Sequence, residues 1–450
     1  MKVHLIAIGG SAMHNLAIAL HHKGFEVSGS DDAIFEPSKS RLDSFGLLPQ
    51  KMGWFSEKIH KDLDAIILGM HARIDNPELI KAQELKIPIY SYPEYIYNQS
   101  IDKKRVVIGG SHGKTSITAM ILHVLHHYNI DCDYMVGAKL DGFDTMVRLT
   151  AEASVIILEG DEYLSSAIDR RPKFHWYKPH IAILSGIAWD HINVFPTFEN
   201  YVNQFRIFKN YVEDVLFYCD DDEVLTDLCQ EDSTCRLESY SIPNHCVEDG
   251  VTYLIDGEEK HRLKIFGEHN LQNLKAALLV CQELGIQKSD FYKAICLFKG
   301  ASKRLELVKR GESSVVYKDF AHSPSKLKAT SSAMKKQYTD RALVACMELH
   351  TFSSLNKDFL KEYMGAMDTP DIAVVYFSKE VIAHKKLEDI SVDQVHKAFG
   401  RQDLKVFTDS IDLQQFLKSF EWNNRNLLMM SSGNFDGIDF NCLAEDLLDS

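Results

Sequence analysis

No Cys-x-x-Cys pair, no apolar run of the roughly 18 residues that span a membrane and no excess of basic side chains occurs in the 450 residues. Each absence removes a class. The nine cysteines, at positions 132, 219, 229, 235, 246, 281, 296, 346 and 442, are odd in number and scattered. That argues against a disulfide framework or a structural zinc site and fits thiols in a reducing compartment. Lys and Arg total 50 against 64 Asp and Glu, a net charge of −14, which argues against a nucleic-acid-binding or anionic-membrane surface. A small anion stays open, since a nest of backbone N–H groups can hold one on an acidic protein. The first 20 residues, MKVHLIAIGGSAMHNLAIAL, lack the features of a secretory signal: Gly9-Gly10 and His14 break the apolar run, and no A-x-A site follows. There is no fixed-period repeat and no low-complexity tract. The expectation is a soluble cytoplasmic protein that binds neither nucleic acid nor membrane.

What is present is a succession of short Val/Ile-rich runs, each followed by a helical pattern. They are 3–8, 65–68, 105–108, 155–158, 181–184, 342–347, 372–377 and 426–430. Such runs read as buried parallel strands of α/β domains. At about 150 residues per domain the length predicts three. Polar restarts near 98–104 and 300–303 divide the chain into 1–104, 105–303 and 304–450. The acidic stretch 220–267 is irregular apart from a small β excursion at 251–255.

The first candidate site is the turn Gly9-Gly10-Ser11-Ala12-Met13 between a strand and a helix, with Ser30-Asp31 at the end of the next strand. Glycines let a backbone approach phosphate, the helix start offers N–H groups, and an acid after the second strand is placed to read a ribose. The pattern is not G-x-G-x-x-G, which speaks against a nicotinamide cofactor; a tight turn without ligand is the plain alternative. The second site is stronger. Strand 105–108 runs into Gly109-Gly110-Ser111-His112-Gly113-Lys114-Thr115-Ser116 and then an apolar helix. This is G-x-x-G-K-[ST] in the strand–loop–helix setting of a phosphate loop that binds ATP. Lys114 would neutralise β/γ charge, and Thr115 or Ser116 would offer a hydroxyl to Mg2+. Glu159, Asp161 and Glu162 after one strand, and Asp190-His191 after another, become candidate Mg2+ groups in that company.

Taken in order, Ile8-Gly9-Gly10-Ser11-x-Met13, Gly110-x-x-Gly113-Lys114-Thr115, Glu159-Gly160-Asp161-Glu162-Tyr163 and Asp190-His191 are followed by three more blocks. These are Gly267-Glu268-His269-Asn270-x-x-Asn273, Lys303-Arg304-Leu305-Glu306 and Asp319-Phe320-Ala321-His322-x-Pro324. The set resembles the Mur ligase family, ATP-dependent amide ligases of peptidoglycan assembly, over essentially the whole chain. The resemblance implies a Rossmann-like first domain for UDP-N-acetylmuramate, a central P-loop ATPase domain and a Rossmann-like α/β third domain for the amine. It implies that 110–116 bind ATP with Thr115, Glu159 and His191 at Mg2+, and that His269, Asn270 and Asn273 line the adenine side. Arg304, Asp319 and His322 would complete the nucleotide site as the domains close and exclude water. His322 is also placed near the chemistry by position, with a structural role as the alternative; no base for the amine is identified.

Two further segments are similar to the branch that attaches an intact murein tripeptide, L-alanyl-γ-D-glutamyl-meso-diaminopimelate. They are Arg170-Arg171-Pro172-Lys173-Phe174-x-x-Tyr177, following Glu162-Tyr163, and Met430-Ser431-Ser432-Gly433-Asn434-Phe435-Asp436-Gly437. The chain departs from the wider family at three places. Phe205 and Arg206 stand where several members carry a carbamylated lysine, with Lys209 further on; Phe320 and Ser323 alter the third-domain block. Leu349 and Ser354 break the P-H-x-[YF]-[ST]-R segment of the alanine-adding branch. The expected activity joins UDP-N-acetylmuramate to the tripeptide through an acyl phosphate, for peptidoglycan recycling, giving ADP and phosphate. L-alanine is the alternative amine, and a non-catalytic nucleotide-binding regulator is the alternative of another class. Oligomeric state, monomer or dimer, is left open.

Overall fold

The computed structural model describes residues 1–140, 142–189, 194–302 and 304–449. Two compact units divide the chain: Met1–Ser241 with Asn273–Ala294, and Ile242–Gln272 with Ile295–Ser450. Among the described residues the strands form four sheets.

The first unit holds two of them. β1 (Lys2–Ile6), β2 (Glu26–Ser30), β3 (Ala65–Leu68) and β4 (Ile89–Ser91) form a parallel sheet in the order β2-β1-β3-β4. β1 stops two residues short of the expected Ile8. Ala7 sits at φ 67°, in the left-handed region, and the N–H groups of Ala7 and Ile8 both turn to Ser30 O, at 2.9 and 3.1 Å. The helix Ser11–His22 that follows is buried continuously from Met13 to Leu20, as a helix covered on more than one side must be. A buried polar pair ties β1 to the helix Pro77–Leu85. His4 Nε2 lies 3.2 Å from Glu78 Oε2, both side chains fully buried, and Phe55 N donates to Glu78 Oε1 at 2.8 Å. Burial pushes the Glu78 carboxyl up, but the hydrogen bonds from His4 and Phe55 N–H outweigh it and hold it below the ordinary value.

The second sheet comprises β5 (Lys104–Gly109), β6 (Asp133–Met135), β7 (Val147–Arg148), β8 (Val155–Glu159), β9 (Ile181–Leu184), β10 (Val215–Cys219) and β11 (Arg236–Tyr240). Their order is β11-β10-β9-β5-β8-β6-β7, parallel except for the edge strand β7. Val106–Ile108, Ile156–Leu158 and Ile181–Leu184 are all 0% exposed. Both faces are therefore covered, and each large aliphatic side chain contributes about 1.5–3 kcal/mol. β5 is central, with β8 and β9 on either side, so the loops leaving these three strands gather at one edge, where open α/β sheets bind ligands.

In the second unit the irregular acidic stretch is a small antiparallel sheet, β12 (His245–Glu248), β13 (Val251–Asp256) and β14 (Glu259–Arg262). The last sheet contains β15 (Glu306–Arg310), β16 (Val315–Asp319), β17 (Ala342–Glu348), β18 (Ile372–Tyr376), β19 (Lys405–Phe407) and β20 (Arg425–Met430). The order is β15-β16-β20-β17-β18-β19, parallel except for β15. Leu343, Ala345 and Met347 pack into one core with Leu428 and Met430. Val344 and Cys346 pack into another with Leu427 and Met429. This two-residue alternation on both faces is why the runs read as continuously apolar.

All nine cysteines are free thiols, and burial pushes Cys132 and Cys229 up to about 12 and Cys219 to about 11. No helix among the described residues is long and apolar enough to cross a membrane.

Candidate functional site

The loop from β5 to the helix Lys114–His127 is shaped by two left-handed glycines. Gly110 has φ 116° and Gly113 φ 79°, and a Cβ at either would collide, with Ser185 and with the Asn273 carboxamide respectively. No other residue type fits there without moving a neighbour. Ser111 N donates to Gly186 O at 2.9 Å, and the Ser185 hydroxyl to His112 O, so the segment after β9 braces the loop. The helix N-cap is Gly113, with no side-chain cap and no acid in the first turn. Its N–H groups are thereby suited to an anion.

Acidic side chains from β8 answer the loop. Thr115 Oγ1 donates to Glu159 Oε1 at 2.9 Å, and Gly137 N to Glu159 Oε2 at 2.8 Å. Burial raises the Glu159 carboxyl above its ordinary range against the pull of Gly137 N–H, Lys114 and Thr115. Lys114 Nζ donates to Gly110 O at 2.6 Å and to Glu162 Oε2 at 2.8 Å. Burial would lower the lysine, but the charges of Glu162, Asp161 and Glu159 outweigh it and hold it fully protonated above its ordinary value. Asp161 is paired with Lys173 at 2.6 Å. Among the described residues no group of three or more His, Cys, Asp or Glu forms a metal cage. Thr115 and Glu159 bring two hard oxygens together at the mouth of the loop. Such a pair suits Mg2+ when phosphate oxygens and water supply the rest. Asp190 and His191, expected at the metal, lie outside the described residues, as does Lys303. Lys209 is 1% exposed, its ammonium donating to the carbonyls of Leu228 and Glu231 at 2.9 and 3.1 Å, and Phe205 is fully buried. That lysine is committed to backbone carbonyls.

The first glycine turn is built around Asp31. Its carboxylate, 7% exposed, accepts from Gly9 N at 2.7 Å and Asp32 N at 2.9 Å, and burial raises it above the ordinary range. Gly9 has no room for a Cβ against Ile34 and this carboxylate. Ser30 is fully buried and receives Lys58 Nζ at 2.9 Å. The helix of Ser11, Ala12 and Met13 starts at Gly10 with no side-chain cap and no acid in its first turn, like the helix of the phosphate loop. Asp31 and Ser30 thus hold the turn's shape, and the exposed Ser11 and Ala12 sit at its mouth.

The sequence-derived residues of the adenine side fall in both units. Asn273 belongs to the first, against Gly113; His269, Asn270, Arg304, Asp319 and His322 belong to the second. Asn270 donates to Phe266 O at 2.9 Å. Burial lowers the His269 imidazole despite Asp319 and Glu268. Asp319, at the end of β16, accepts from Leu305 N at 2.6 Å and Ala321 N at 2.7 Å. Arg304 stacks its guanidinium 4.6 Å from the Phe320 ring, and His322 shares a 2.8 Å hydrogen bond with Phe320 O.

A second cluster in this unit was not found by sequence reasoning beyond its Ser431–Gly437 stretch. Glu348, 1% exposed at the end of β17, accepts from the Ser431 hydroxyl and from Phe435 N at 2.9 Å; His350 Nδ1 lies 3.4 Å from its other oxygen. Gly433 is forced, because a Cβ there would meet His350 and Glu348. Ser354 is fully buried, its hydroxyl 3.0 Å from Thr351 Oγ1. The sequence signal for Glu348 is only its place at the end of an apolar run.

Comparison with known proteins identifies the family. Residues 108–281 match the Mur ligase middle domain, and residues 2–100 the domain described as Mur ligase family, catalytic domain. A UDP-N-acetylmuramate–L-alanine ligase of Sulfurihydrogenibium sp. is 31% identical over 391 residues, covering 83% of this chain and 82% of that protein. Among solved structures, a murein peptide ligase from Psychrobacter arcticus superposes with a TM-score of 0.66 at 20% identity, covering 100% of this chain and 99% of the other. A UDP-N-acetylmuramate–alanine ligase from Thermotoga maritima gives 0.70 at 19%, covering 97% and 96%. With the α/β sheets, the phosphate loop and its acids in place, the chain belongs to the Mur ligase family of ATP-dependent amide ligases.

Proposed function

We propose that this ligase joins the carboxyl group of UDP-N-acetylmuramate to the free amine of an intact murein tripeptide, L-alanyl-γ-D-glutamyl-meso-diaminopimelate, in the cytoplasm. The observation that carries the choice of amine is the Ser431–Gly437 loop. It resembles the tripeptide-attaching branch and is clamped by Glu348, while the position where alanine-adding ligases carry an arginine holds a fully buried serine, Ser354. The second reading, L-alanine as the amine, is favoured by the curated relatives, which carry that activity in their names.

A carboxylate is a poor electrophile, so ligation needs activation. A carboxylate oxygen of the sugar attacks the γ-phosphorus of ATP, ADP leaves, and the mixed anhydride is attacked by the neutral amine; a tetrahedral adduct expels phosphate and loses a proton. Phosphoryl transfer asks the protein for placement and charge neutralisation. In this reading Gly110–Ser116 cradle the phosphates, with the Lys114 ammonium against the β/γ oxygens. Thr115 and Glu159 would hold Mg2+, which supplies further neutralisation of phosphate charge when bound. The family resemblance gives Asn273, His269 and Asn270 the adenine side with Arg304, Asp319 and His322, and Gly9–Met13 the UDP moiety, at a turn whose shape Ser30 and Asp31 hold.

Incubation with ATP, Mg2+ and UDP-N-acetylmuramate, then with tripeptide or L-alanine in separate reactions, tests this by phosphate release and product mass. Tripeptide-dependent release with the mass of the amide is the expected result. Release with L-alanine alone would transfer the assignment to the second reading; release with neither would defeat both.

A further inference from the structure

Glu162 has no part in the scheme above, yet its carboxylate is 1% exposed and held between Lys114 of the phosphate loop and Tyr201 of the helix Phe198–Lys209. Lys114 Nζ donates to Oε2 at 2.8 Å and the Tyr201 hydroxyl donates to Oε1 at 3.0 Å. That hydroxyl, on a fully buried ring, also shares a 2.9 Å hydrogen bond with Ser111 Oγ, and Ser111 Oγ accepts from Ala188 N at 2.9 Å. The connections close a circuit. They leave the phosphate loop at Lys114, pass through Glu162 and Tyr201, and return to the loop at Ser111. A carboxylate taken out of water is costly unless it is paired and hydrogen-bonded, and here both oxygens are engaged by the loop's own partners. An ammonium has three donors. Gly110 O takes one at 2.6 Å and Glu162 another, which leaves one for a phosphate oxygen. A lysine is a mobile point charge on a flexible stem; these two acceptors set its position before nucleotide arrives.

We propose that Glu162 is a positioning residue for phosphoryl transfer, fixing the Lys114 ammonium against the loop while Tyr201 and Ser111 hold its carboxylate in that pose. The proposal rests on ATP-dependent ligation and is indifferent to which amine is used. A charged group displaced by an ångström costs about 100-fold in rate, and that sets the scale of the expected effect.

The test uses the full chain with ATP, sugar and amine each varied in turn against saturating levels of the others, and counts active sites by ATP-binding titration. Glu162→Ala is expected to lower kcat by about 100-fold, leaving the KM values for sugar and amine within about twofold. Glu162→Gln keeps an oxygen for Lys114 and recovers about tenfold of that loss; Tyr201→Phe lowers kcat by a smaller factor, about three- to tenfold. Unchanged kcat per active site in Glu162→Ala, with only a smaller folded fraction, would make the pair merely structural and overturn the proposal. So would a tighter ATP KM with undiminished kcat in Glu162→Gln, which would mark Glu162 as a competitor of the phosphates. A wild-type chain inert with every amine is a different failure, because it defeats the ligase reading before any variant is compared.

Discussion

Lys114 and Glu159 stand on opposite sides of one electrostatic problem. The lysine must stay charged in a site that disfavours charge, and the surrounding carboxylates ensure it. Glu159 is pushed the other way by burial, so a cation arriving beside it would relieve an existing strain on its ionised form. Two outcomes follow at this scale. Lys114→Ala should reduce ligation by about a thousandfold or more, while binding of UDP-N-acetylmuramate, read by equilibrium titration, persists; normal turnover would remove the loop from the mechanism. Glu159→Ala should shift the Mg2+ dependence of the rate upward by about 10- to 100-fold or abolish turnover. A superimposable Mg2+ titration would take Glu159 out of the cation shell. Lys114 and Glu159 stood out as candidates in the sequence because each sits in a short contiguous motif of its own. Glu162, Tyr201 and Ser111 were not assembled in advance, since 39 residues separate Glu162 from Tyr201 and 90 separate Tyr201 from Ser111, and no local pattern encodes such a circuit.

At the scale of elements, the expected strands emerged because parallel strands covered on both faces are continuous apolar runs. The expectations failed where backbone geometry rather than composition decides. Ile8 is as apolar as Ile6, but Ala7 at φ 67° ends β1 before it. The two-residue strand β7 and the charged β14 carry no run to detect. The buried pair between β1 and the helix Pro77–Leu85 was equally hidden, His4 and Glu78 being 74 residues apart. Removing one member of a fully buried pair costs about 3–5 kcal/mol, and Glu78→Ala should lower the urea midpoint accordingly. Because the Glu78 carboxyl is held below the ordinary glutamate value of about 4.3, its contribution is fully present above that pH. It is lost as the pH falls through the lower folded value. In Glu78→Gln the acid limb of the midpoint-against-pH curve should therefore flatten. An unchanged acid limb would show that other carboxylates govern it.

For the whole molecule, a net charge of −14 is no obstacle to anionic ligands, because two uncapped helix starts offer backbone N–H groups and Lys114 is well held beside one of them. The nine free thiols carry a plain prediction: dithiothreitol should leave the melting temperature unchanged. A drop of several degrees would reveal a cross-link that the fold does not contain. Net charge and cysteine count are global quantities and were readable without any structure. The Glu348 clamp was not, because it joins β17 to a loop 83 residues later.

That clamp and its neighbour bear on how such an enzyme could change its taste in amines. Ser354 has no exposed surface and its hydroxyl is turned to Thr351, so an arginine introduced there would have to carry its guanidinium through the packed turn to reach any acceptor. An arginine at position 354 would strain that buried turn before it could serve an amine pocket.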